Sequence, residues 1–115
     1  KGKTLSGPPL GYIQGPEDLL VTADGTPLRI DKAYSWDAPF SAHGLMHMVI
    51  SNAYAGDPYS VDVLFMYMAN MSWNSSMNSR GVMEMLEATN EDGSYVIPKI
   101  IYSDAYDSEM VAYAD

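Results

Sequence analysis

Two apolar segments joined by a helical segment constrain the fold of this chain most strongly. They are VDVLFMY at 61–67 and YVIPKIIY at 95–102, and turn-forming residues bound each of them. Continuous apolar runs of this length are typical of strands that are buried on both faces of a sheet. Between them, helical spacing relates Val82, Met85, Leu86 and Thr89. The order strand, helix, strand predicts a βαβ unit with two parallel strands and a right-handed crossover.

The first part of the chain has a different character. Residues 1–17 are dense in Gly and Pro, which predicts an extended, turn-rich segment. Asp24-Gly25 then separates two short β-type runs, and this pattern predicts a hairpin over residues 19–30. We therefore expect residues 1–40 to form an extended lead-in that contains this β-hairpin.

Residues 41–115 are predicted to form an incomplete dinucleotide-binding-like α/β domain. Ser41 is a candidate N-cap for its first helix, and Gly56-Asp57-Pro58 ends that helix. The predicted fold class is thus α/β: a partial Rossmann-like βαβ unit with a parallel sheet, preceded by the hairpin and the lead-in.

The charge balance argues against several classes of partner. The 15 acidic residues outnumber the 6 basic ones, for a formal net charge of −9. Nucleic-acid binding depends on clustered Lys and Arg, and none cluster here. The same deficit disfavours an anionic membrane surface, and no apolar stretch approaches the ~20 residues of a membrane span. The chain has no cysteine, so it cannot form a disulfide or ligate an iron–sulfur cluster through cysteine.

Polar residues follow both predicted strands. In open parallel sheets, ligands bind outside the carboxyl ends of the strands. The second strand leads directly into Asp104, and the loop after the first strand carries three candidate binding residues: Asn70, Ser72 and Asn74. We expect these loops to lie side by side on one rim of the sheet. A carboxylate there can accept hydrogen bonds from ribose hydroxyls or from the N1–H and N2–H₂ groups of guanine.

Simpler interpretations compete with this binding rim. Asp104 could cap the helix that begins near Ser108 and Glu109, where an acid suits the helix dipole. His43 and His47 have metal-ligand spacing, but the zinc-protease glutamate and a third ligand are missing. No GxGxxG, P-loop or GxSxG motif is present, so no catalytic residue is assigned. The residues alone therefore indicate a nucleotide-type rim without catalytic groups.

Longer stretches add a family resemblance. IIYSDAYDSEMVAYAD at 100–115 resembles a segment of the large subunits of molybdopterin oxidoreductases of the dimethyl sulfoxide reductase family. VDVLFMYMANMSWN at 61–74 is similar to the companion strand and loop of that family, with Met71 where proline is common. YSWDAPFSAHGLMHMVISNAYAGDPY resembles the subgroup that acts on sulfite, thiosulfate, polysulfide or tetrathionate.

This resemblance implies a cofactor and a role for each rim residue. The cofactor is a molybdopterin guanine dinucleotide, and Asp104 would meet its guanine or ribose end. Three residues would line the same groove: Asn70, Ser72 and Asn74. Ser108 and Glu109 would support it. The metal ligand and the cysteines for an iron–sulfur cluster would lie elsewhere in the parent enzyme.

The resemblance also implies that the chain is an internal fragment of a bacterial molybdenum oxidoreductase. The parent would act on a sulfur oxyanion on either side of the inner membrane, and its partners would be a membrane anchor subunit plus an iron–sulfur electron-transfer subunit. The fragment alone is expected to be inactive and to self-associate through open sheet edges. The alternatives are a stand-alone α/β module that binds a nucleotide or a protein without catalysis, and a purely structural segment.

Overall fold

The computed structural model describes residues 19–38, 45–74 and 78–115. The chain divides into two compact units, Lys1–Leu45 and Met46–Asp115. Our boundary after residue 40 stays a prediction. The lead-in at 1–17, the candidate cap Ser41 and His43 lie outside the described residues.

In the first unit the chain reverses at Asp24-Gly25, as the sequence predicts. The Gly25 N–H donates to the Thr22 carbonyl at 3.0 Å, and Gly25 adopts φ +89°, which glycine tolerates best. An antiparallel bridge joins Val21 to Pro27. The pairing stays this short because the Leu20 N–H, which would continue the ladder towards Leu28, donates instead to the Tyr34 carbonyl.

An ion pair between half-exposed Arg29 and buried Asp31 organises the residues after this turn. Asp31 is buried, and its carboxylate accepts two hydrogen bonds from Arg29 at 2.9 and 2.7 Å. The backbone N–H groups of Ala33 and Leu45 donate to the same carboxylate. Burial opposes ionisation of Asp31, but these donors together outweigh it and hold its pKa below the ordinary value.

The second unit contains the predicted βαβ unit. A 3-10 turn at Met46–Met48 leads into helix α1 (Val49–Ala55), which ends at Gly56 with φ +65°. Strand β1 (Leu64–Tyr67), helix α2 (Ser79–Leu86) and strand β2 (Ile100–Ser103) follow, and a 3-10 helix spans Glu109–Tyr113. The Asn78 side chain caps α2 by accepting a hydrogen bond from the Gly81 N–H at 3.2 Å. The two strands pair in parallel. The α/β class and the partial Rossmann-like βαβ order are confirmed.

The strands are shorter than the apolar runs that predict them. Each has four residues. Residues 89–95 form a separate turn closed by a Thr89–Tyr95 bridge, so the start of the predicted apolar run pairs within that turn and not with β1.

Burial of both faces of β1 was a wrong prediction. Leu64 and Met66 are buried, whereas Phe65 and Tyr67 are 61% and 67% exposed. The core lies on one face of the sheet, where helices pack against it: Ile50, Ala53, Leu64, Met66, Met71, Val82, Leu86, Ile97, Ile100 and Met110. Nothing in the described residues buries the other face to the same extent.

Candidate functional site

The carboxyl ends of the two strands meet at one edge of the sheet. Their register runs from Leu64 opposite Ile100 to Tyr67 opposite Ser103. The Met68 N–H extends this pairing by donating to the Ser103 carbonyl at 2.9 Å. The loops that follow β1 and β2 therefore start next to each other. We call residues 68–74 and 103–109 the rim.

Asn70 organises the first rim loop. Its carbonyl accepts hydrogen bonds from the N–H groups of Trp73 at 3.2 Å and Asn74 at 2.9 Å. Its side-chain oxygen accepts a hydrogen bond from the Ser72 hydroxyl at 3.1 Å. Ser72 is fully buried, whereas Asn70 is half-buried and Asn74 is exposed. The adjacent Met71 is part of the core, so its side chain fixes this polar turn to the hydrophobic core.

Asp104 is the centre of the second rim loop. Its Oδ2 accepts hydrogen bonds from the Tyr102 hydroxyl and, at 3.4 Å, from the Ser108 hydroxyl. Its Oδ1 accepts one from the Ala105 N–H at 2.6 Å. The Tyr102 and Ser108 oxygens are themselves 2.7 Å apart. The carboxylate is thus held at a fixed position while it stays half-exposed.

These hydrogen bonds favour the charged form of Asp104. The Tyr102 hydroxyl is the main cause that lowers the pKa of Asp104 below its ordinary value, and the N–H groups of Ala105 and Tyr106 add to the effect. In turn, the hydrogen bond to Asp104 raises the pKa of Tyr102. At neutral pH the loop therefore presents an ionised carboxylate beside a neutral phenol.

The capping alternative for Asp104 does not fit the observed contacts. The 3-10 helix begins after Ser108, which has extended backbone angles and makes no side-chain capping hydrogen bond. Asp104 instead accepts a hydrogen bond from the Ala105 N–H that follows it directly. Its hydrogen bonds therefore shape the rim loop rather than the helix.

Glu109 joins the two rim loops. Its carboxylate accepts a hydrogen bond from the Asn70 side-chain amide, across 39 positions of sequence. The structure thus gathers the six predicted site residues into two linked groups. One contains Asn70, Ser72 and Glu109, with Asn74 beside it, and the other contains Asp104 and Ser108.

Sequence reasoning missed Tyr102. A usable signal existed, because side chains two positions apart on an extended strand point to the same side. Tyr102 and Asp104 have this spacing, and an aromatic hydroxyl next to a carboxylate is a natural hydrogen-bond donor.

Other features lie away from the rim. A cavity of about 150 Å³ is located near the start of β2, lined in part by Leu86, Ile97 and Ile100. Asp115 pairs with this end of the strand, since its carboxylate accepts from the Ile100 N–H at 2.8 Å and its own N–H donates to the Ile100 carbonyl. Asp115 therefore lies at the opposite end of β2 from Asp104.

Two searches of the described residues were negative. No group of three or more His, Asp or Glu residues there could hold a metal ion. None of the helices in the same residues combines the length and the hydropathy that a membrane crossing requires.

Comparison with known proteins adds one relative. The chain is 53% identical over 111 residues to a sulfite dehydrogenase subunit of Allochromatium vinosum. This match covers 96% of the chain but only 12% of the relative. No family model matches the chain, and no solved structure does.

These findings correct the assignment to the dimethyl sulfoxide reductase family. That assignment rested on the resemblance of three segments, at 34–59, 61–74 and 100–115, and no family model matches the chain. The match extends instead along nearly the whole chain to a protein named for sulfite dehydrogenation. What stands is a similarity to one segment, 12% of the length, of an enzyme subunit.

Proposed function

We propose that this chain is part of an oxidoreductase that acts on sulfite or a related sulfur oxyanion. We further propose that its rim binds the guanosine end of a molybdopterin guanine dinucleotide. The similarity to a sulfite dehydrogenase subunit supports the reaction class. The single observation that carries the binding role is the geometry of Asp104, an ionised, half-exposed carboxylate held at the carboxyl end of a parallel strand.

The donor set of guanine fits this carboxylate. The N1–H and N2–H₂ groups of guanine form a pair of parallel donors, and a carboxylate has about four acceptor sites on its two oxygens. Hydrogen bonds from Tyr102, Ala105 and Ser108 occupy about three of these sites, so the two guanine donors would use the remaining site and replace the longest protein hydrogen bond, from Ser108 at 3.4 Å. Because Tyr102 and Ser108 hold one oxygen and Ala105 the other, little side-chain freedom remains to be lost on binding.

The charges of the rim indicate which part of the cofactor it binds. The rim contains no Lys or Arg. It has three acidic residues, which are Asp104, Asp107 and Glu109. A diphosphate would be repelled there, since phosphate sites rely on cationic side chains or on backbone N–H groups at helix N-termini. The fit is therefore to the neutral guanosine end.

The rest of the reaction would occur outside this chain. When bound, the cofactor supplies the redox centre, and the residues described here bind and orient its distal end. In this proposal an iron–sulfur cluster elsewhere in the enzyme and an iron–sulfur electron-transfer subunit carry the electrons, and a membrane anchor subunit completes the complex. The isolated chain would have no activity.

Guanine recognition can be tested with cofactor-free protein from a host that makes no molybdopterin guanine dinucleotide. We expect GMP to bind about tenfold more tightly than IMP, which lacks the 2-amino donor, since one hydrogen bond to a charged group is worth roughly 1.5 kcal/mol or more. Calorimetry or ligand-observed NMR gives both affinities. Asp104→Asn should abolish the preference, whereas Asp107→Asn makes the same charge change three residues away and should preserve it.

Two results would contradict this proposal. One is equal affinity of the unaltered protein for GMP and IMP. The other is a GMP preference that Asp104→Asn leaves intact.

A second candidate function is protein binding without catalysis. It is favoured by the exposed sheet face, where Phe65 lies directly opposite Ile101 and both side chains are largely or partly open to solvent. Exposed apolar clusters of this kind often mark protein interfaces.

A further inference from the structure

Tyr106 stands out among the exposed aromatic side chains. It is 81% exposed and lies in the second rim loop, two residues after Asp104. Single exposed apolar residues are common on protein surfaces and need no explanation on their own. This one differs from them because it lies beside a fixed carboxylate.

The backbone around Tyr106 is held on both sides. Its N–H lies near enough to the Asp104 carboxylate to help lower the pKa of that group, and its carbonyl accepts a hydrogen bond from the Ser108 N–H at 3.1 Å. The loop from Asp104 to Ser108 is therefore a bend held by its own hydrogen bonds. Its ring projects into solvent from a backbone that is itself fixed.

A fixed carboxylate and an exposed aromatic ring are the two elements of protein recognition of a nucleic-acid base. The carboxylate reads the hydrogen-bonding edge of a base, and an aromatic ring supplies a surface for its face. Tyrosine is well suited to this task because its ring offers a large contact area with few rotatable bonds.

We propose that Tyr106 is the platform on which the guanine base stacks while Asp104 accepts hydrogen bonds from its N1–H and N2–H₂ groups. This inference rests on the proposed guanosine-binding function and adds a second contact to it. The two contacts have different chemical signatures. Stacking tolerates any base because each has a π face, whereas the edge contact distinguishes bases by their donors.

The experiment measures GMP and IMP binding to the cofactor-free protein and to Tyr106→Ala. We expect this substitution to weaken both nucleotides by the same factor, roughly tenfold, because one stacking contact is lost for either base. The preference for GMP over IMP should remain. Tyr106→Phe keeps the ring and should restore the affinity, and the H8 proton of bound GMP should show an upfield ring-current shift that Tyr106→Ala removes.

A matched control is Tyr95→Ala. Tyr95 is 54% exposed but precedes β2, so it lies towards the other end of that strand. Its removal should change neither affinity.

The outcomes separate this inference from the function beneath it. Unchanged binding by Tyr106→Ala, with the GMP preference still dependent on Asp104, overturns the stacking role and leaves the guanosine site in place. If Tyr106→Ala weakens GMP binding and leaves IMP binding unchanged, the stacking role is overturned too, since Tyr106 would then act only through the Asp104 carboxylate. If Trp73→Ala weakens GMP and IMP binding by the same factor and Tyr106→Ala weakens neither, the stacking platform is in the first rim loop. No Asp104-dependent preference in the unaltered protein overturns both proposals.

Discussion

The Asn70 side-chain amide donates a hydrogen bond to the Glu109 carboxylate, and this contact joins the loop after β1 to the 3-10 helix after β2. Asn70 also accepts the hydroxyl of Ser72, which is fully buried. One side chain therefore connects the interior of the first rim loop to the second rim loop. The rim is a hydrogen-bonded unit rather than two independent loops.

This contact predicts energetic coupling between the two loops. In a double-mutant cycle with Asn70→Ala and Glu109→Ala, we expect a coupling free energy of about 0.5–1 kcal/mol, because the pair is partly solvated. Asn70→Ala alone should cost more, since it also leaves the buried Ser72 hydroxyl without its acceptor. Urea unfolding measures both. The pair Asn70 and Glu84 is the control, because Glu84 pairs with Arg80 on α2. Additivity of the Asn70 and Glu109 changes would show that the hydrogen bond contributes nothing.

The Tyr102–Asp104 contact predicts a pH effect. The folded-state pKa of Asp104 is depressed, so the stabilisation from its ionised form is present above the unfolded value near 3.8 and is lost as pH falls through the lower folded value. Tyr102→Phe removes the hydroxyl that contributes most to this lowered pKa, so the pKa of Asp104 should rise towards its ordinary value. Carboxyl-carbon NMR titration of Asp104 measures the shift directly.

Guanine binding gives a second readout of the same change. Binding requires the ionised carboxylate, so the acidic limb of its pH profile should move to higher pH in Tyr102→Phe. Tyr67→Phe removes a hydroxyl from an exposed tyrosine on β1. It should leave both the Asp104 titration and the pH profile of guanine binding unchanged. An Asp104 titration that is identical in Tyr102→Phe and the unaltered protein would rule out this role for Tyr102.

The open sheet face predicts self-association. Parallel sheets are ordinarily covered on both faces, yet three apolar side chains of β1 and β2 remain exposed here: Phe65, Tyr67 and Ile101. We expect the protein to self-associate as its concentration rises, because the exposed apolar side chains can pack against a second copy. Phe65→Ser should reduce this association and leave the fold intact, since Phe65 is outside the core cluster. Light scattering coupled to size-exclusion chromatography measures the mass. Val111→Ser, which changes an exposed apolar residue outside the strands, is the control. A clean monomer at high concentration would contradict the prediction.

Local patterns in the sequence determined much of this structure. The apolar runs and the helical stripe between them predicted the βαβ order, and Gly56 predicted the end of α1 because glycine adopts a positive φ at low cost. The side-by-side placement of the rim loops followed as well, since parallel pairing brings strand ends of the same kind to one edge. These features depend on residues close in sequence, or on a rule of topology that holds for every parallel pair.

Only the tertiary structure decided the rest. Phe65 is as apolar as Leu64, so composition could not show that one face of β1 is covered and the other open; that depends on where α1 and α2 pack. The Asn70–Glu109 hydrogen bond joins residues 39 positions apart, and it exists only because the register of β1 and β2 brings those loops within reach. Asp104 was recognisable as a carboxylate at a strand end. Its fixed position and its lowered pKa come from side chains around it, and periodicity carries no information about such contacts.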